Sequence, residues 1–287
     1  MARAAAIDLP ANLRASRWVK PEWLASLPAT VERLAAHWDL TLCAPFEPGG
    51  YNSWVAPART GAGRDVVLKV GLVFPESAAE AQSLRDWNGD GVVELIDELR
   101  TGDELALLLE RVVPGEQLKR RPEPEQDVVI AGLVKRLHRF TPDPAHYPTL
   151  ADMAVQWVDE YEPATGDGAL DPGVVRAGLD LFVELARSAP EEVLLVTDVH
   201  GDNVLSATRE PWLLIDPKPH IGDPTYEPIQ HMFNCERFLE DPDVLITRIA
   251  DLFELDRARL HLWAFARCVE VARRWTYLAP IAARLAP

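Results

Sequence analysis

The chain changes character once, near Pro114-Gly115, and that change limits its architecture more than any other feature. Before it, short apolar runs dominate. Residues 51–58 and 65–70 read as strands joined by the turn-rich RTGAG, and VVELIDEL and ELALLLERV read as two more. Two helical patterns accompany them, at 21–39 (Trp23, Leu24, Leu27, Val31, Leu34, Ala35 and Trp38, with Pro21 at its start) and at 76–87. After the change, residues 124–140, 150–162, 172–188 and 244–286 read as helices. Strands followed by helices, rather than strictly alternating with them, predict an α+β protein. Its expected parts are a small N-terminal lobe, 1–112, holding an antiparallel sheet with one inserted helix, and a larger, mainly helical lobe, 113–287. A crevice between two such lobes is a usual place for a ligand.

Composition excludes several classes. With 287 residues and 48% hydrophobic content, the chain is neither disordered nor short of core. A formal net charge of −16 opposes binding to nucleic acid or anionic lipid and suits cationic small molecules. Cys43, Cys235 and Cys268 are odd in number and far apart, which indicates neither a disulfide framework nor a zinc site. The opening MARAAAIDLP is broken by Asp8 and Pro10, so no signal peptide is expected, and no stretch approaches a membrane span. A cytoplasmic protein is expected; oligomeric state is not legible.

The helical half is interrupted by VLLV (193–196) and PWLLI (211–215), read as adjacent strands of a hairpin with the polar, turn-prone SATRE between them. Each run delivers an aspartate, Asp198 and Asp216. Asp198-Val-His-Gly-Asp-Asn203 is a D-x-x-x-x-N spacing, which places a base and a metal-binding amide on one short loop, as phosphoryl-transfer enzymes require. Asp202 adjoins Asn203, and neighbouring side chains point apart, so Asp202 reads as a solvated or loop-capping carboxylate. Asn203 and Asp216 would supply the hard oxygen ligands that Mg2+ prefers.

Such chemistry needs a fixed cation for the ATP phosphates. Lys69, in VVLKV, offers it from mid-strand, and the helix that follows carries Glu80, with Glu76 one turn earlier as the rival ion-pair partner. EPGGYNSW offers the Gly49-Gly50 amides and the Ser53 hydroxyl for covering phosphates, although a plain hairpin turn explains the glycines equally well. The absence of a GK[ST] pattern excludes a Walker-type loop. In LALLLERVVPG, the Glu110 carbonyl and the Val112 amide are expected to meet the adenine edge.

Taken together, VTDVHGDNVLSATREPWLLIDPKPHIGDPTYEP, LRDWNGDGVVELID and LLLERV resemble the aminoglycoside phosphotransferase superfamily, and within it the streptomycin 6-kinase and hydroxyurea phosphotransferase branch. The resemblance spans roughly residues 50–235. It implies a bilobal protein-kinase-like fold, MgATP as donor, and phosphorylation of a small-molecule hydroxyl. It implies Asp198 as the catalytic aspartate, Asn203 and Asp216 as metal ligands, and Lys69 as the phosphate-binding lysine. Two departures stand out: Val196-Thr197 replaces the His-Gly or His-Trp pair of many relatives, and Glu227 stands where Asp is common.

The expected acceptor is a cationic or polyhydroxylated small molecule, such as an aminoglycoside or amino sugar. Asp159, Glu160, Glu162, Glu227 and Glu236 are the acidic residues that would line its pocket. His200 and His220 read as loop-packing or surface residues, and His231 as core. Three alternatives remain open at this level: a metabolic sugar kinase, a nucleotide-binding pseudokinase scaffold, and a metal-dependent hydrolase using His200, Asp202 and Asp216.

Overall fold

A computed structural model describes residues 7–162 and 170–287; the side chain of Glu76 lies outside the described residues. The chain forms two compact units, Met1–Val113 and Pro114–Pro287.

The first unit runs α1 (Ala11–Arg14), α2 (Pro21–His37), β1 (Leu40–Leu42), β2 (Ser53–Thr60), β3 (Asp65–Leu72), α3 (Glu80–Trp87), β4 (Leu95–Thr101) and β5 (Glu104–Glu110). The strands form one antiparallel sheet in the order β1-β2-β3-β5-β4. Pro21 begins α2, where its missing N–H leaves no bond unmade. The helix buries Trp23, Leu27, Val31 and Leu34, which share one core with Trp54, Ala56, Leu68, Val70 and Ala106 of the sheet. Strand side chains alternate between faces. With Val66, Leu68 and Val70 buried in the core, Lys69 must lie on the opposite face. The same alternation puts half-buried Val67, and Val55 across from Lys69 on β2, beside it. Residues 76–87 do not form one helix: a single turn at Pro75–Ser77 precedes α3, which starts at Glu80.

The second unit runs β6 (Pro114–Gln117), α4 (Glu123–Leu137), α5 (Leu150–Asp159), α6 (Pro172–Arg187), β7 (Val193–Leu195), β8 (Val204–Ala207), β9 (Trp212–Leu214), β10 (His220–Gly222), α7 (Ile229–Phe233), α8 (Glu236–Glu240), α9 (Pro242–Phe253), α10 (Arg257–Val271) and α11 (Ala279–Leu285). Residues 244–286 thus hold three helices, the first ended by Glu254 in a left-handed conformation. The expected hairpin between 193–196 and 211–215 does not form. β7 pairs with β10, whereas β9 pairs with β8, which in turn pairs with β6. Part of the SATRE stretch is therefore strand, because Leu205 and Ser206 find partners on β9.

A buried carboxylate joins four helices. Asp127 of α4 accepts hydrogen bonds from His231 Nε2 of α7 (2.9 Å), Arg237 Nη2 of α8 (2.8 and 3.0 Å) and Arg248 Nε of α9 (2.6 Å). Burial alone would raise its carboxyl; the bonds from His231, Arg237 and Arg248 win and hold it far below the usual carboxylate range. Cys235 also adjoins His231, but burial pushes its thiol up to about 12. The two guanidiniums already neutralise Asp127, so this Asp–His–Cys trio is an ion-pair network rather than a metal centre. Asp127→Ala strands those cations, and a loss of about 3–5 kcal/mol is expected in denaturant unfolding. The lowered pKa of Asp127 makes its contribution depend on pH. Asp127 contributes stability in full above the unfolded-state value, near pH 4, and loses it as pH falls toward the lower folded-state value. The wild type should therefore lose stability below about pH 4 more steeply than the Ala variant.

Candidate active site

In the first unit, Lys69 Nζ donates to Glu80 Oε1 at 2.6 Å, and both side chains are largely buried. Glu80 is the first residue of α3, where the helix N-terminus favours a negative charge. Glu80 is thus a partner of Lys69, while Glu76 belongs to the single turn that precedes α3. Ser53 is buried at the start of β2, opposite Gly71. Glu110 ends β5, its N–H on Glu94 O (2.9 Å) and its carboxylate accepting from Glu94 N (3.1 Å); Val112 follows, buried.

In the second unit, two backbone hydrogen bonds take over the work of the hairpin that does not form. Ile215 N–H donates to Asn203 O (2.8 Å) and Lys218 N–H donates to Val196 O (2.9 Å). They stitch the 196–203 loop to the 215–218 loop. Asn203 Nδ2 donates to the Asp198 carbonyl (2.9 Å) and carboxylate (3.3 Å), so its amide oxygen is the atom left to face an ion. Asp216 adopts a left-handed conformation (φ 54°), which aspartate tolerates better than most residues. Lys218 Nζ is ion-paired with Asp216 Oδ1. Burial raises the Asp198 carboxyl, and the charges of His200 and Lys218 work against that rise while Asp216 adds to it.

Asp202, expected to be solvated or to cap the loop, is partly buried and braces the loop. It lies 3.5 Å from His200 Nδ1 and pairs with Lys119; hydrogen bonding to His200, and then to Lys119, holds its pKa down at about 2 despite burial. His200 is a loop-packing residue, one of the two places expected for it: its ring sits between Asp202 and Asp198, with Nε2 3.7 Å from Asp198 Oδ1.

Glu227 corrects the acceptor expectation. It is fully buried, accepts from Val196 N–H (2.7 Å), Thr197 N–H (2.8 Å) and His138 Nε2 (3.0 Å), and so has no oxygen to offer a substrate. Its carboxylate clamps the turn that leads into Asp198. That turn needs holding, because Thr197 adopts φ 56°, a left-handed conformation that costs a β-branched residue about 1–2 kcal/mol. Thr197 Oγ1 adds a bond to Lys218 O (2.6 Å). The replacement of His-Gly by Val-Thr was the signal in the sequence that the loop is supported differently. Nothing in the sequence named Glu227, His138 or Lys218 as the support. Asp159, at the end of α5, and Glu236, at the start of α8, are both exposed.

Asp223, in the neighbouring IGDP, is also buried and caps Thr225 N–H (2.8 Å) while accepting from Arg259 Nε (2.6 Å) and Trp263 Nε1 (2.7 Å), which ties the loop to α10. No helix among the described residues is long and apolar enough to cross a membrane.

This fold and these residues define a protein of the kinase-like phosphotransferase class. The chain belongs to the aminoglycoside/hydroxyurea antibiotic resistance kinase family, whose profile matches residues 37–277. It is 32% identical over 262 residues to streptomycin 6-kinase of Streptomyces griseus (86% of this chain, 82% of the relative). It is also 32% identical over 276 residues to hydroxyurea phosphotransferase of Kitasatospora aureofaciens (93% and 79%). The fold is shared with an amicoumacin kinase solved with AMP-PNP, Ca2+ and its antibiotic (TM-score 0.64, 14% identity, 93% of this chain and 94% of that one). It is shared also with an aminoglycoside phosphotransferase solved with ADP and hygromycin B (TM-score 0.60, 17% identity, 88% and 97%). The protein is an ATP-dependent small-molecule kinase that phosphorylates a hydroxyl group.

Proposed function

We propose that the protein transfers the γ-phosphate of MgATP to a hydroxyl of a streptomycin-like aminoglycoside or related amino sugar, in the cytoplasm. The observation that carries this reading is the Asp198–Asn203 pair stitched to the Asp216 loop, in a chain 32% identical to a streptomycin 6-kinase. The donor set fits magnesium: the Asn203 amide oxygen and the Asp216 carboxylate are hard ligands, and the nucleotide phosphates would complete them. Such an ion supplies charge neutralisation at the transferred phosphoryl group. Lys69, aimed by Glu80, binds the donor phosphates. Ser53 and the backbone of Glu110 and Val112 complete the nucleotide contacts. Asp198 accepts a hydrogen bond from the acceptor hydroxyl and takes its proton as the bond to phosphorus forms.

The formal charge of −16 favours a cationic acceptor, and Asp159, Glu160, Glu162 and Glu236 remain the acidic residues available to one. The test is ATP consumption with Mg2+ against streptomycin, other aminoglycosides, hydroxyurea and glucosamine. Phosphorylation of streptomycin in preference to the rest is expected; turnover of hydroxyurea or simple sugars alone would replace this acceptor. Lys69→Met should weaken ATP binding about tenfold or more, since a hydrogen bond to a charged group contributes about 1.5–3 kcal/mol. Direct nucleotide titration checks this, and unchanged affinity would remove Lys69 from the phosphate site.

A further inference from the structure

Lys218 has no part in the chemistry above, yet its surroundings hold it closely. Pro217 and Pro219 flank it, each with a ring-fixed φ. Its N–H donates to Val196 O (2.9 Å), and its carbonyl accepts from Thr197 Oγ1 (2.6 Å) and from Nδ1 of buried His220 (2.9 Å). With the backbone pinned, the side chain alone can swing. Its ammonium is mostly buried, ion-paired with Asp216 Oδ1 and 3.4 Å from the Asp216 carbonyl. Asp198 and Asp216 together carry two negative charges, Asn203 none, and Lys218 cancels one.

We propose that Lys218 is a positioning residue that competes with a divalent cation for Asp216, so that the ion binds firmly only together with the nucleotide phosphates. The inference rests on the reading of Asp216 as an ion ligand. Lysine ammonium and a divalent ion both seek the same carboxylate oxygen. The lysine is tethered two residues away, so its effective concentration at that oxygen is high. A free divalent ion meets only Asn203 and a carboxylate already paired. An ion carried on a nucleotide brings phosphate oxygens as additional ligands, and these tip the exchange. Lys218 then holds the Asp216 carboxylate until the donor arrives.

The test is a Mn2+ titration of the full chain, with free Mn2+ followed by electron paramagnetic resonance, with and without ADP. Wild type should bind Mn2+ weakly alone and much more tightly with ADP. Lys218→Met should bind Mn2+ alone about tenfold more tightly or better, as removing a unit charge at contact distance allows. The gap should shrink with ADP present, and Lys218→Arg, which keeps the charge, should behave as wild type. The proposal is overturned if Lys218→Met binds free Mn2+ no more tightly than wild type. It is equally overturned if wild type binds Mn2+ as tightly without ADP as with it, a comparison that needs no variant. Asp216→Asn separates the two levels. If it keeps wild-type Mn2+–ADP affinity, the ligand reading of Asp216 fails; if it loses that affinity while Lys218→Met gains nothing, this inference alone fails.

Discussion

Asp198→Asn is expected to lower turnover by about 10³-fold, the middle of the range for losing a positioned base, with nucleotide affinity nearly unchanged. The asparagine keeps the shape and the backbone bond from Asn203, so the loop should survive. What it loses is the ability to take the acceptor proton. The wild type adds an independent check. Burial raises the Asp198 carboxyl, so the ionised base is depleted at a higher pH than an ordinary carboxylate would be. Turnover should therefore fall on the acid side above the ordinary carboxylate range, and that limb should vanish in the variant. Near-normal turnover in Asp198→Asn would end the assignment.

Glu227→Ala should be nearly as damaging, by another route. It removes the acceptor for two backbone N–H groups and for His138. Each buried donor left unpaired costs about 1–3 kcal/mol, so the two backbone N–H groups alone predict a stability loss of about 2–6 kcal/mol in chemical denaturation. Thr197 then has less to hold it in its left-handed conformation, and the turn into Asp198 relaxes. A displacement of about 1 Å can lower turnover about 100-fold, and the effect should appear in kcat far more than in KM for ATP. Glu227→Gln keeps one carbonyl acceptor and should recover part of both losses. If Glu227→Gln instead changes the KM for the acceptor alone, Glu227 contacts substrate and the clamp is wrong.

The parts of the site legible in the sequence are those set by local geometry. The D-x-x-x-x-N spacing puts Asp198 and Asn203 within one loop, and a loop that short brings the amide to the carboxylate whatever the rest of the chain does. The alternation in VVLKV sends Lys69 to the face opposite Leu68 and Val70, and Glu80 at the head of the next helix meets it. Illegible were the contacts between distant segments. The apolar runs 193–196 and 211–215 were visible as strands, but their partners were not. Four-residue strands such as β6 and β8 are too short to show a period, and they exist because each finds the other.

Glu227 shows the same limit in a single residue. By composition it is one more acidic side chain in an acidic protein, and solvent or substrate are its ordinary partners. Burial and the convergence of Val196, Thr197 and His138 make it a structural clamp. Lys218 was as anonymous, until the fold set its ammonium on Asp216.

On its own, then, the order of amino acids determined the two-part architecture, the face on which Lys69 meets Glu80 and the loop that joins Asp198 to Asn203, because short-range backbone geometry decides each of them. The folded chain decided which strands pair, what keeps Thr197 in its unfavourable conformation, and which cation sits on Asp216. Those outcomes depend on groups far apart in sequence, such as His138 and Glu227, meeting out of water, and no local pattern records such a meeting.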